Sequence, residues 1–152
     1  MTTGQAARSR DEIREEIVLR APPARVWRAL TDPAELLVWW GDPAAYRCTR
    51  WVFTPKPGSP WRVEGTNARG GAFWVEGEVL EADPPRRLSY SWKPSWIEVP
   101  ATTVRIALEP AGEGTRLVWR HCGFEGYPQA LEDHRGGLPS VIRWLARYVD
   151  AA

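Results

Sequence analysis

The chain has 152 residues, a length typical of one domain and sufficient to bury a hydrophobic core. Its 20 Lys and Arg residues nearly balance its 19 Asp and Glu residues, and no run of like charge stands out, which argues against nucleic acid and anionic membranes as partners. The two cysteines lack the spacing of a zinc site, and no apolar stretch approaches the ~18 residues of a membrane-spanning helix, so we expect no metal and a cytoplasmic protein.

The first forty residues predict one strand and two short helices. Residues 1–11 are polar and rich in small side chains, which predicts a flexible leader before a folded domain over 12–150. An alternating apolar pattern predicts the first strand over 12–20. Pro23 and Pro33 suit the first turns of two helices, and a Gly-Asp-Pro sequence ends the second.

The middle of the chain predicts a sheet. Apolar residues alternate with polar ones in successive segments, and turns rich in Pro and Gly separate the segments. Because these turns have hairpin length, the sheet is expected to be antiparallel rather than built from βαβ units. The predicted strands cover residues 46–53, 61–66, 73–81, 88–92, 104–108 and 117–121.

The last thirty residues predict a long helix. Leu138, Ile142, Leu145 and Val149 recur at steps of four, three and four, which places them on one apolar stripe. The Gly136–Pro139 segment is expected to bend or break this helix, because glycine loosens a helix and proline removes an interior N–H. Whether this segment is a kink or a gate for ligand entry stays open.

Several stretches carry a family likeness. They are Ala-Pro-Pro-Ala-Arg-Val-Trp at 21–27 with Trp-Trp-Gly at 39–41, Pro-Gly-Ser-Pro-Trp at 57–61, Gly-Glu-Val-Leu-Glu-Ala-Asp-Pro-Pro at 77–85, Gly-Thr-Arg-Leu at 114–117, His-Cys-Gly-Phe at 121–124 and Gly-Leu-Pro at 137–139. In order and spacing the chain resembles the START-like superfamily, in particular bacterial proteins similar to the C-terminal domain of the Aha-type activator of the heat-shock-protein-90 ATPase. Leu138 stands where that family usually has tryptophan, and Ser59 where it has a second glycine.

The resemblance implies an α+β helix-grip fold. In this fold a curved antiparallel sheet of about seven strands wraps around the long C-terminal helix, with two short helices after the first strand. Proteins of this kind usually keep a cavity between sheet and helix, so we favour a ligand-binding wall over a filled core for the apolar strand face. The predicted binding residues are Trp40, Trp61, Val63, Phe73, Val75, Tyr90, Trp92, Trp119, His121, Leu138, Ile142 and Leu145.

His121 is the candidate catalytic residue, as an acid or base that could also orient a polar ligand group. A histidine hydrogen-bonded to backbone at the sheet edge is the favoured alternative, since no partner carboxylate is defined. Cys122, as its neighbour in the strand, should point to the opposite face. Glu76 and Glu78 lie on the polar parity, so we expect them to face solvent rather than to form a glycosidase-type pair.

The favoured function is binding of a small hydrophobic or aromatic molecule by a monomer or weak dimer without a cofactor. A cyclase, aromatase or hydrolase acting on a polyketide-like substrate, or an antibiotic-sequestering protein, would use the same pocket. The sequence has no Gly-x-Ser-x-Gly, P-loop or His-Glu-x-x-His motif, which favours binding over catalysis. A co-chaperone-like interaction domain with a chaperone partner ranks last, because the resemblance covers only one domain of the activator.

Overall fold

The computed structural model describes residues 11–151, so the predicted leader lies outside the described residues except for Asp11. Three helices and eight strands follow one another along this part of the chain. They are β1 (Ile13–Leu19), α1 (Pro23–Thr31), α2 (Pro33–Trp39), β2 (Gly41–Asp42), β3 (Tyr46–Val52), β4 (Pro60–Asn67), β5 (Ala72–Asp83), β6 (Arg87–Pro94), β7 (Thr102–Ala111), β8 (Gly114–Cys122) and α3 (Pro128–Asp150).

The eight strands form one curled antiparallel sheet in the order β1-β8-β7-β6-β5-β4-β3-β2. Each strand from β3 to β8 pairs with its neighbour in sequence, while β1 pairs with β8, so that Ile13 lies opposite His121. The helix-grip fold expected from the sequence is therefore confirmed. The additional strand, β2, has only two residues and pairs with the start of β3, which is too short to leave an alternating pattern.

The C-terminal helix is continuous from Pro128 to Asp150, so the expected break at the Gly136–Pro139 segment does not occur. Pro139 removes a single N–H, and the buried stripe on both sides of it, from Leu131 to Val149, keeps the helix on the protein core. Packing over 23 residues thus outweighs a local preference against helix. No helix within residues 11–151 is both long and apolar enough to cross a membrane.

Glu35 anchors the C-terminal half of α3 to the two short helices. Its carboxylate accepts hydrogen bonds from Arg25 (2.6 Å), Arg28 (3.0 Å) and the hydroxyl of Tyr148 (2.9 Å). Partial burial opposes ionisation, but the bonds from Arg25 and Tyr148 outweigh it and hold the pKa of Glu35 below its ordinary value. The same end of the helix is therefore held firmly, while its first half lies beside the cavity described next.

Candidate ligand-binding cavity

A cavity of about 440 Å³ lies between the concave face of the sheet and the first half of α3. This volume falls within the range of small-molecule sites. Its lining residues come from the position directly after α2, from β3 to β8, from the β6–β7 loop and from α3. They are Trp40, Tyr46, Cys48, Val63, Asn67, Ala72, Phe73, Val75, Trp92, Trp96, Val104, Trp119, His121, Asp133, His134, Gly137, Leu138 and Val141.

The exposed members of this set define the mouth of the cavity: Asn67, Ala72, Trp96, Asp133 and Gly137. The first two lie at the β4–β5 turn, the third in the β6–β7 loop, and the last two on α3. Trp96 spans the mouth, because its indole N–H donates to the Asp133 carboxylate at 2.8 Å and its ring stacks on His134. A ligand would therefore enter between the β4–β5 turn and the N-terminal half of α3.

Trp40 is the centre of the aromatic wall. Its ring lies 5.3 Å from Trp51, 6.2 Å from Trp92 and 5.8 Å from Trp119, measured between centroids. Its indole N–H donates to the hydroxyl of Tyr46 at 3.0 Å. Because these rings fix one another in offset and tilted contacts, the wall is already ordered before any ligand is present.

Eight of the twelve residues predicted from the sequence line the cavity: Trp40, Val63, Phe73, Val75, Trp92, Trp119, His121 and Leu138. The other four do not. Trp61 is only 1% exposed, donates to the carbonyl of Ser91 at 2.8 Å and packs with Tyr90 in a layer behind the wall. Ile142 and Leu145 lie on the buried stripe of α3, beyond the lining residues. Strand parity identified the face but not the depth of these side chains.

Ten lining residues were not predicted as binding residues: Tyr46, Cys48, Asn67, Ala72, Trp96, Val104, Asp133, His134, Gly137 and Val141. Helical spacing could have found two of them, because His134 and Val141 lie four and three residues from Leu138. Val104 lies on the apolar parity of its strand. Trp96 lies in a loop, where no periodic pattern indicates which way a side chain points.

The tautomer of His134 is determined by its neighbours. Trp92 donates its indole N–H to Nε2 of His134 at 2.9 Å, and an indole can only donate, so Nε2 carries the lone pair. The proton is therefore on Nδ1, which donates to the carbonyl of Ala130 at 2.8 Å. Both ring nitrogens are engaged, and the residue is neutral.

His121 has the complementary arrangement. Its Nε2 lies 2.7 Å from the hydroxyl of Thr102, which itself donates to the carbonyl of Trp92 at 3.0 Å. The hydroxyl proton is used in that second bond, so the arrangement that satisfies both contacts has Nε2–H of His121 donating to Thr102. The favoured expectation of a backbone bond at the sheet edge is wrong, because the partner is a side chain and β8 lies between β1 and β7.

The other chemical candidates face away from the cavity or are inert within it. Cys122 directs its thiol to the carbonyl of Thr103, and Glu76 and Glu78 are exposed, as expected from their parity. Cys48 does line the cavity, but burial raises the pKa of its thiol to about 12, which keeps it protonated. The cavity therefore offers no thiolate and no carboxylate pair.

Residues 20–150 match the family described as activator of Hsp90 ATPase homolog 1-like protein. The chain belongs to this family. The match covers every helix and strand except β1, and it confirms the resemblance found in the sequence motifs. No curated protein matches the chain.

Solved structures similar to this member of the activator-like family share its fold along nearly the whole chain. Protein CV1439 from Chromobacterium violaceum is 26% identical, with a TM-score of 0.78 over 92% of this chain and 97% of that one. A protein from Rhodobacter sphaeroides is 26% identical, with a TM-score of 0.77 over 93% and 91%. The AHSA1 protein from Silicibacter pomeroyi is 24% identical, with a TM-score of 0.76 over 90% and 96%.

The cavity of this activator-like family member contains two neutral histidines. Burial, reinforced by the neighbouring His134, lowers the pKa of His121 well below its ordinary value. Burial also lowers the pKa of His134, against the opposing effects of its bond to Ala130 and of Asp133. Their ring centroids are 5.2 Å apart, so a proton on either would disfavour a proton on the other.

This pair predicts acid destabilisation. In the unfolded chain each histidine takes up a proton as the pH falls below about 6.5, whereas the folded protein keeps both neutral to lower pH. The unfolded state then binds more protons, so the free energy of unfolding should decrease below pH 6.5, by up to ~1.4 kcal/mol per pH unit for each histidine. Urea denaturation at pH 7.5, 6.0 and 5.0 measures this slope.

The matched variant for this prediction is His121→Phe, which keeps an aromatic ring and removes one titrating group. Its stability should depend less steeply on pH between 6.5 and 5.0 than that of the wild type. The chain has only these two histidines, so no other imidazole contributes in this range. The same slope in both proteins would contradict the assignment.

Proposed function

We propose that this protein binds a small, uncharged aromatic compound in the cavity between the sheet and α3. The observation that carries the proposal is the composition of the wall, in which aromatic rings dominate and the polar groups are few and, apart from Asp133 at the mouth, neutral. Small-molecule sites combine an apolar wall with a few placed polar groups in this way. A filled core, the alternative reading of so many tryptophans, would leave no space of this size.

The affinity of such a ligand would come mainly from burial of apolar surface, at roughly 25 cal/mol per Å². The cost of ordering the site is low, since Trp40, Trp92 and Trp119 already contact one another. Trp40 and Trp92 also donate their indole N–H groups within the protein, to Tyr46 and His134. Little of the gain from burial is therefore lost in rearranging the wall.

The charges around the cavity support an uncharged ligand. Among the lining residues that the structure describes there is no Lys or Arg. Both histidines are neutral at pH 7, and the carboxylate of Asp133 lies at the mouth. A buried carboxylate would lack a compensating charge here, so fatty acids and other organic acids are disfavoured.

Ligand binding explains the residues of the cavity better than catalysis does. In a cyclase-type enzyme, the acceptor nitrogen Nδ1 of His121 would act as the general base, since Nε2 is engaged with Thr102. Its pKa, however, lies well below neutral, which makes it a weak base. Loss of turnover in His121→Ala with retained binding would be needed to rank the enzyme first.

Two neighbours on β5 test the proposal. Phe73 lines the cavity, whereas Trp74 points to the outer face, where Arg62 lies over its ring. Phe73→Ala should weaken binding of 2-naphthol about tenfold, corresponding to the loss of ~1.4 kcal/mol of apolar contact. Trp74→Ala should leave the affinity unchanged. Fluorescence quenching or calorimetric titration gives both values.

The same titration compares 2-naphthol with 2-naphthoate, which have the same ring system and differ in charge. We expect the carboxylate to bind at least about tenfold more weakly, because no cationic side chain offsets its desolvation. Binding of neither compound, or equal weakening by the two substitutions, would contradict the proposed function.

A further inference from the structure

We infer that the ligand is a hydroxylated aromatic compound whose O–H group donates a hydrogen bond to Nδ1 of His121. This inference rests on the proposed function and adds the polar group by which the site would select its ligand. The geometry that points to it is a relay of hydrogen bonds that leaves an acceptor open inside a cavity whose wall is mostly apolar.

The relay begins at the backbone carbonyl of Trp92. Thr102, which is 1% exposed, donates its hydroxyl proton to this carbonyl at 3.0 Å and lies 2.7 Å from Nε2 of His121. If Nε2 were the lone-pair nitrogen, one hydroxyl proton would have to serve two acceptors, and one contact would lack a proton. The protonated Nε2 removes this conflict, and it leaves the lone pair of the neutral ring on Nδ1.

That lone pair is not used by the protein. No described residue donates a hydrogen bond to Nδ1 of His121. Among residues 11–151, the one fully buried side-chain nitrogen or oxygen without a hydrogen-bond partner is Nε1 of Trp51, so Nδ1 of His121 is not fully buried. Nδ1 is therefore in contact with accessible space, and the accessible space beside His121 is the cavity that it lines. The contrast with His134 is complete, since Trp92 and Ala130 occupy both of its nitrogens.

The surroundings of the acceptor favour an aromatic ligand. The imidazole of His121 lies 4.7 Å from the ring of Phe124 and 5.5 Å from that of Trp92, between centroids. A buried acceptor within such rings is best satisfied by a donor that brings no charge and carries its own flat apolar body. A phenol-type hydroxyl meets both conditions, whereas an ammonium or carboxylate group brings an uncompensated charge.

The test compares three probes that share one ring system: 2-naphthol, naphthalene and 2-methoxynaphthalene. The first can donate a hydrogen bond, the second has no polar group, and the third has an oxygen without a proton. The wild-type protein should bind 2-naphthol about tenfold more tightly than the other two, as expected for one buried hydrogen bond. Titration monitored by tryptophan fluorescence or calorimetry measures this preference without any substitution.

Two variants locate the preference. His121→Phe keeps the ring and removes the acceptor, so it should bind all three probes with similar affinity, close to that of naphthalene for the wild type. Thr102 is a positioning residue, and Thr102→Val should reduce the preference because Nε2 then loses the partner that holds its proton. Thr103→Val is the control, since Thr103 is only partly buried and pairs with Cys122 on β8.

The outcomes separate this inference from the proposed function. Equal binding of the three probes by the wild type, or a tenfold preference that survives in His121→Phe, would overturn the hydroxyl assignment and leave aromatic binding in place. Binding of none of the three would overturn the proposed function itself. A preference that falls equally in Thr102→Val and Thr103→Val would overturn the relay through Thr102.

Discussion

Gly137→Phe should weaken ligand binding strongly while the protein remains folded. Gly137 lies on α3 and lines the cavity mouth, and a Cβ added there would meet no heavy atom within 4 Å. The new ring therefore enters open space that a ligand must cross or occupy. Forcing both into that space costs ~1–3 kcal/mol or more, so the affinity for 2-naphthol should fall by about 100-fold.

The adjacent Gly136 offers a matched control. It is exposed as well, a Cβ there also meets no heavy atom within 4 Å, and it does not line the cavity. Gly136→Phe should therefore bind 2-naphthol like the wild type. Neither substitution should destabilise the helix, because glycine in a helix interior is itself unfavourable. Unchanged binding in Gly137→Phe, or equal loss in both variants, would contradict the location of the mouth.

Gly77→Ala should cause a large loss of stability. A Cβ at Gly77 would lie 2.0 Å from the carbonyl oxygen of Ser91 and 2.7 Å from Nε1 of Trp61. These two atoms form the 2.8 Å hydrogen bond that holds Trp61 behind the aromatic wall. The added methyl group must separate β5 from β6 and break this bond, at a cost of about 3 kcal/mol or more.

The comparison for this second experiment is Gly136→Ala, at a helix position with free space. That variant should be unchanged or more stable by about 0.5–1 kcal/mol. Urea denaturation at pH 7.5 gives the free energies of unfolding. Stability of Gly77→Ala within about 0.5 kcal/mol of the wild type, the range of ordinary surface changes, would show that the strands can separate there without penalty.

The glycines in these two experiments have different structural reasons. Gly77 is required because backbone and indole approach each other too closely for a side chain, which explains a glycine in the middle of a strand. Gly136 and Gly137 are not required by close packing, since nothing lies near them. Gly137 leaves the mouth of the cavity unobstructed. Hydrogen exchange over residues 128–139 would show whether this segment acts as a gate.

Local sequence patterns predicted which strand face lines the site. The alternation of Val63, Val75, Trp92 and Trp119 with polar neighbours predicted which strand face is buried, because successive side chains in a strand point to opposite faces. The same rule placed Cys122 and the pair of glutamates outside. It could not distinguish Trp92, which lines the cavity, from Trp61, which lies behind it.

The sequence by itself determined the order of the major elements, the antiparallel sheet, the long final helix and the apolar face of each strand. These properties depend on side-chain periodicity and turn residues, which are local. Only the tertiary structure decided that His121 and His134 meet at 5.2 Å, that Thr102 and Trp92 set their tautomers, and that Trp96 reaches across the mouth. The contacts of His134 and Asp133 join the sheet and its loops to α3 through the curl of the sheet, and no local pattern specifies that curvature. The Thr102–His121 contact joins the paired strands β7 and β8, and it depends on their register.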